Sequence, residues 1–262
     1  MRYPLTRNMF MTRIVLMLYI SLVILLVGCS ALKEAKLKQP TWFGMEAISP
    51  NIYVSKAVTE TQREQLMLSM QQAKSRVNEI YGNVVSSPVV YACADRNCYK
   101  SFNGYGNGRA VGASGILLIS ESLTPEVISH EWSHVELYVR MGRIRYGKFP
   151  MWFHEGLAVV VSKLTRHSDE ALRQARQLGI PIPKDIKMLG EQKVWNSALK
   201  QYHNDKGINV MYAAAGHEVR EWLRHAGTSG LQQLIDDVNA GEDFSMAYDR
   251  IAPITRENPD LM

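Results

Sequence analysis

Hydrophobic and polar positions divide the chain into an uncharged apolar run over 14–27, a polar stretch to about residue 50, and a long patterned region. In that region, short apolar runs bounded by turn-forming residues predict strands, and longer amphipathic segments predict helices. The first predicted elements are strand 52–55, helix 60–81, strand 88–92, a glycine-rich loop 103–115 and strand 116–119. Helices follow, namely one from residue 124, one from residue 150, and 168–178, 195–204, 211–225, 228–239 and 243–251.

This order predicts an α+β fold, in which a small N-terminal α/β lobe with a mixed sheet precedes a mainly helical C-terminal lobe. The chain has 262 residues, and its patterned part is long enough to bury one good core. We therefore expect a single domain over 51–262. Residues 29–50, which contain Lys, Gln, Ser and two prolines, are expected to form a tether.

The N terminus has the three parts of a bacterial secretion signal: three arginines, the apolar run, and a short end at Cys29. That end, Leu-Val-Gly-Cys, resembles a lipobox, in which the cysteine is lipidated and becomes the mature N terminus. It predicts a lipoprotein signal peptide over 1–28 and a lipid anchor in the bacterial cell envelope. Ser30 after the cysteine favours the outer membrane, facing the periplasm. A retained membrane span is the alternative. It is less favoured, because the apolar run over 14–27 is shorter than the roughly 20 residues that a transmembrane helix needs.

The net charge of the chain bears on whether it binds nucleic acid. The full chain carries a formal charge of +5, and removal of 1–28, with its three arginines, leaves +2. We therefore expect no nucleic-acid partner.

With Cys29 lipidated, Cys93 and Cys98 remain as a close pair in an oxidising compartment, which favours a disulfide. Free thiols are the alternative, and a metal is disfavoured because two thiolates make half of a structural zinc site.

The segment His-Glu-Trp-Ser-His at 130–134 is the strongest chemical signal. A helix is predicted to begin at Thr124, which is followed by proline and an acid, and to end near Gly142. On that helix His130 and His134 lie one turn apart on one face, so that both can bind one Zn²⁺ ion. Glu131 is placed to take a proton from a water molecule at that ion. The alternative is a helix whose histidines merely pack or form hydrogen bonds.

A catalytic zinc site needs a third protein ligand. Glu155 follows His134 by 21 positions, enough for a loop and an antiparallel second helix. His154 is the rival ligand, but neighbouring residues on a helix point about 100° apart, so one of the two faces the metal. Gly156 lacks a side chain where two helices would approach closely. A surface acid in an ion pair is the alternative for Glu155.

Together, the His-Glu-x-x-His helix and the later Trp-Phe-x-Glu-Gly-x-Ala segment resemble the gluzincin zinc metallopeptidases, the group of thermolysin and the large aminopeptidases. The resemblance covers roughly 110–262 and implies zinc as the cofactor. It also implies His130, His134 and Glu155 as metal ligands, Glu131 as the catalytic base, and a metal site in the cleft between the two lobes. The expected substrate is a protein or peptide.

Peptide hydrolysis also needs a group that stabilises the developing oxyanion. Tyr212 stands at the start of a predicted helix, where aminopeptidase-like gluzincins carry a tyrosine with this role. Tyr202, His203 and His217 are rival candidates, and a tyrosine that merely packs is the alternative. We also expect 116–119 to be the edge strand beside the metal helix, where an extended substrate could pair; an internal strand is the alternative.

Two other functions compete with a periplasmic metallopeptidase. A zinc amidase that cuts peptidoglycan would use the same water activation, and a binding or assembly lipoprotein could keep the fold without turnover. The presence of Glu131 argues against the last, because a structural zinc site needs no base. The Gly-Ala-Met-Glu-Asn motif of aminopeptidases is absent from the sequence, which argues against amino-terminal trimming.

Overall fold

A computed structural model describes residues 35–111 and 115–252. The predicted signal peptide 1–28, the lipidation site Cys29 and the beginning of the predicted tether lie outside the described residues. None of the helices in the described part is long and apolar enough to span a membrane.

The described N-terminal part contains a five-stranded mixed sheet. Its strands are β1 (Met45–Ser49), β2 (Ile52–Ser55), β3 (Val89–Cys93), β4 (Gly108–Val111) and β5 (Gly115–Ile119). The spatial order is β1-β2-β3-β5-β4. The three inner strands run parallel, and β1 and β4 pair antiparallel at the two edges.

Two helices belong to the sheet region, α1 (Glu60–Tyr81) and α2 (Arg96–Ser101). Six follow: α3 (Pro125–Tyr146), α4 (Met151–Ser162), α5 (Asp169–Gln177), α6 (Gln192–Gln201), α7 (Val210–Ala240) and α8 (Phe244–Ile251). Short 3₁₀ turns lie at Pro40–Phe43, Ser120–Ser122, Thr165–His167 and Ile186–Met188. The predicted α+β fold, with a small sheet lobe before a mainly helical one, is confirmed.

The sheet is covered on both faces. Alternate strand residues such as Val90 and Leu118 join the main core with the helices, while Tyr91 and Leu117 pack in a smaller cluster on the opposite face. All five residues of β5 are buried. A strand without a polar face has to lie inside a sheet.

The expectation that 116–119 forms the sheet edge is therefore wrong, and its internal alternative is correct. The edge is β4, which lies inside the segment predicted as a glycine-rich loop. Its Gly-Arg-Ala-Val sequence is too short and too mixed to predict a strand. The tether predicted over 29–50 is also wrong in its second half, because Met45–Ser49 pairs with β2 as the other edge.

Two glycines break long helices where the pattern predicts it. Gly142 has φ of 68° within α3, and Gly227 has φ of 63° within α7. Such a left-handed conformation favours glycine. The predicted end of the metal helix near Gly142 thus corresponds to a sharp kink, after which one more turn leads to Tyr146.

Candidate metal centre

His130 and His134 lie together on α3. Thr124 caps this helix by accepting a hydrogen bond from the backbone N of Val127, and proline occupies the first turn, as predicted. The two imidazole rings lie 5.1 Å apart, centroid to centroid, and meet edge to face. Because the two residues are one helical turn apart, both rings face the same position beside α3.

Glu155, on α4, completes the group. Its Oε2 lies 3.4 Å from Nε2 of His130 and 3.7 Å from Nε2 of His134. Two ligands of a tetrahedral zinc ion, each roughly 2 Å from the metal, are separated by roughly 3.3 Å. The oxygen is also buried and has no hydrogen bond in the described part of the chain. These residues fit a zinc ion, and the predicted ligands are brought together.

The charges of this group are matched to a cation. Burial alone would raise the pKa of Glu155, but the imidazoles, above all His134, hold that pKa well below its usual range. Burial would lower the pKa of His134, and the Glu155 carboxylate raises it instead. A carboxylate that stays ionised while buried is the form that binds zinc.

A close helix contact sets the position of Glu155. A Cβ atom added at Gly156 would lie 2.4 Å from the backbone oxygen of Ala215 on α7. The reciprocal Gly216 would place a Cβ 2.4 Å from Val159 of α4. The prediction that Gly156 permits close approach is confirmed, and the contact holds α4 beneath the metal site.

His154 does not join the ligand group. Its Nε2 lies 3.1 Å from the backbone oxygen of Tyr146, and its ring packs 4.3 Å from the Tyr146 ring. Burial, with the nearby His134, lowers the pKa of His154 to about 4. His154 is therefore a neutral group that supports the end of α3, and Glu155 is the third ligand candidate.

Glu131 faces the edge strand. Its Oε2 accepts a hydrogen bond of 2.7 Å from the backbone N of Ala110 on β4. A Cβ at Gly108 would lie 2.9 Å from Cγ of Glu131, so β4 rests directly on α3. The carboxylate is thus held in the cleft that His130 and His134 line, and its second oxygen accepts no hydrogen bond from the described residues.

These residues line a cleft of about 630 Å³. The strand β4 and the loop before it form one wall. The opposite wall is formed by the turn Thr165–His167 and the N terminus of α7, which contribute Arg166, His167 and Tyr212. The floor is the metal-binding surface of α3 and α4.

Tyr212 lines the cleft. Its ring lies 6.1 Å from that of His130 and stacks on His167 at 5.1 Å. Burial, with the charges of Glu155 and Glu131, raises the pKa of Tyr212, so that its hydroxyl stays protonated. A protonated phenol at this place is a hydrogen-bond donor for an oxyanion.

The rivals of Tyr212 lie elsewhere. Tyr202 and His203 are absent from the cleft wall. His217 contacts Asp169, with 3.0 Å from Nδ1 to Oδ1. With Glu221 these two residues form a second group of possible metal ligands, but Arg220 already donates to Asp169 at 2.6 Å. Because that guanidinium opposes a cation, the first group is the better candidate for a metal site among the described residues.

No family model and no curated protein matches this chain. The resemblance to gluzincins therefore rests on the residues and their arrangement.

Sequence reasoning missed several residues of the site. His167 is buried in the cleft wall, and burial followed by the charge of Arg166 lowers its pKa to about 3. Tyr146 also lines the cleft. Glu136, two residues after His134 but outside the cleft lining, is fully buried and accepts hydrogen bonds from the backbone N of Val85 and of Ser86. Because Ser133 and Arg140 lie one turn away on the same face, the sequence around Glu136 does not indicate that this acid is buried.

The predicted disulfide is present. Cys93, at the end of β3, is bonded to Cys98 in α2. From α2, the hydroxyl of Tyr99 donates to the backbone oxygen of Tyr105, and Arg96 donates to that of Gly106. The disulfide thus secures the helix that holds the loop before β4.

Proposed function

We propose that this chain is a zinc-dependent metallopeptidase, lipid-anchored in the bacterial cell envelope, that hydrolyses a protein or peptide in the periplasm. The observation that carries the proposal is the convergence of His130, His134 and Glu155 beside Glu131 at the floor of an open cleft. The envelope location is proposed from the lipobox-like sequence at Cys29.

The protein residues would divide the chemistry among them. The three ligands would hold the ion, which when bound acidifies water and polarises a carbonyl group. Glu131, oriented by the Ala110 amide, accepts a proton from the attacking water and can pass it to the leaving amine. Tyr212 donates a hydrogen bond to the oxyanion that develops on the substrate.

The edge strand favours a peptide as substrate. β4 is an edge strand of the sheet and lines the cleft beside Glu131. An extended peptide can add to such an edge by backbone hydrogen bonds, which places its amide bonds next to the base. A peptidoglycan amidase and a binding lipoprotein remain as outcomes of the test.

The test compares ligand and base variants of the purified full-length chain. We expect about one zinc per chain, lost on substitution of His130, His134 or Glu155 by alanine. Glu131→Gln should retain zinc and lower peptide hydrolysis by at least about 100-fold, because the amide does not accept a proton. Cleavage of peptidoglycan amides alone would favour the amidase. A Glu131→Gln chain that restores full function in cells would favour the binding lipoprotein.

A further inference from the structure

The cleft contains two arginines that the proposed chemistry does not use. Arg109 lies on β4, and Arg166 lies on the opposite wall in the turn Thr165–His167. The acids that line the described cleft are Glu131 and Glu155, which are the proposed base and metal ligand. Within 35–111 and 115–252, neither guanidinium forms an ion pair.

The two arginines are held differently. Arg109 donates a hydrogen bond to the backbone oxygen of Asn103, and its guanidinium lies 4.8 Å from the ring centre of Tyr105. Arg166 is exposed, and within the described residues it makes no hydrogen bond. Arg166 lines the cleft next to His167, whose ring stacks on Tyr212, and its charge acts to lower the pKa of both residues. Arg166 therefore presents a free guanidinium beside the proposed oxyanion donor.

His167 adds a second unused polar group at the same wall. The residue is 5% exposed, and its Nδ1 has no hydrogen-bond partner in the described structure. Its ring is stacked on Tyr212, with an angle of 19° between the planes. The His167 ring thus packs Tyr212 against the wall that carries Arg166.

The charges of the loaded cleft favour an anion. The two carboxylates and a Zn²⁺ ion balance each other, so that the two guanidiniums leave the cleft positive. A concave site concentrates such a potential. Arginine matches a carboxylate with two parallel hydrogen bonds, which gives geometric selectivity as well as attraction.

We propose that the cleft selects peptides that carry a carboxylate near the scissile bond, bound mainly by Arg166 with Arg109 on the facing wall. The carboxylate is the side chain of Asp or Glu, or a free C terminus. This inference rests on the proposed peptidase function and specifies its substrate class.

The test uses one heptapeptide of alanine and phenylalanine in four forms, with Asp or Asn at the centre and a free or amidated C terminus. Binding is measured to the zinc-loaded full-length chain that carries Glu131→Gln, and kcat/KM is measured with the wild type. At least one carboxylate form should bind about tenfold more tightly than the neutral form. Comparison of the forms shows whether the side chain or the C terminus is recognised.

Variants then assign the preference to residues. Arg166→Gln should reduce it to within about twofold, and Arg109→Gln should reduce it in part. Arg176→Gln, an exposed substitution on α5 away from the cleft, is the matched control and should leave it intact.

The inference is overturned if all four forms have equal Kd values or if no form binds. It is also overturned if the carboxylate preference survives substitution of both Arg109 and Arg166. Cleavage that ignores charge overturns the inference and leaves the peptidase function standing. A carboxylate preference in binding without any hydrolysis supports the inference and counts against the peptidase function.

Discussion

Substitution of Gly156 by alanine tests whether helix packing positions the third metal ligand. The added Cβ would lie 2.4 Å from the backbone oxygen of Ala215 and 2.6 Å from a methyl group of Val219. Ordinary contact begins near 3.4 Å, so α4 and α7 have to separate by about 1 Å. Neither atom is the end of a long flexible side chain, so the strain has no easy release.

The neighbouring ligand moves with the helix. Glu155 Oε2 now lies 3.4 Å and 3.7 Å from the two imidazole nitrogens. Because zinc sites tolerate deviations of only about 0.2 Å in ligand distance, a shift of about 1 Å should weaken zinc binding by roughly 100-fold. Overpacking should also cost about 1–3 kcal/mol of folding stability, which lowers Tm by roughly 2–12 °C.

Zinc affinity is measured by competition with a chromophoric chelator, and Tm is measured in the apo and zinc-loaded forms. Gly147→Ala is the matched control, since Gly147 has helical φ and ψ and a Cβ there has no contact closer than 3.8 Å. A Gly156→Ala chain that binds zinc as tightly as the Gly147→Ala chain would refute the role of this helix contact.

Three further substitutions probe other parts of the site. Glu136→Ala should cost about 2–5 kcal/mol in chemical denaturation, because it leaves two backbone amides without their acceptor and removes the ion-pair partner of the half-buried Arg140; a loss below about 1 kcal/mol would contradict this. Joint replacement of Cys93 and Cys98 by serine should raise KM several-fold at unchanged zinc content, since the cleft rim loses its anchor; loss of zinc would contradict it. Tyr212→Phe should lower kcat by about 100-fold with little change in KM, whereas Tyr202→Phe, away from the cleft, should not.

The metal-binding half of the site follows from local sequence. The spacing of His130 and His134 decides their common helix face, and the cap at Thr124 decides that a helix forms there. Glu155 was predicted from chain distance and from Gly156, whose missing side chain indicates a close helix contact. Each of these signals is a short motif or a fixed spacing along the chain, so one sequence is enough to find them.

The substrate side of the cleft was harder to predict. β4 has no alternating pattern, and α2 has six residues, so neither gives a periodic signal. Arg166 and His167 reach the cleft because the chain turns back after α4, which depends on packing between distant helices. A local pattern does not contain that information.

This division has a consequence for how the site can be altered. The candidate zinc ligands lie on α3 and α4, which are fixed to each other and to α7 through the core. The proposed base Glu131 also depends on β4, through the amide of Ala110, and β4 follows the loop that α2 supports. A change in that loop can therefore misplace the base and the substrate strand while the ligands stay in position. Zinc content alone is thus a poor measure of a competent site, because it reports on the helices and leaves the edge strand untested.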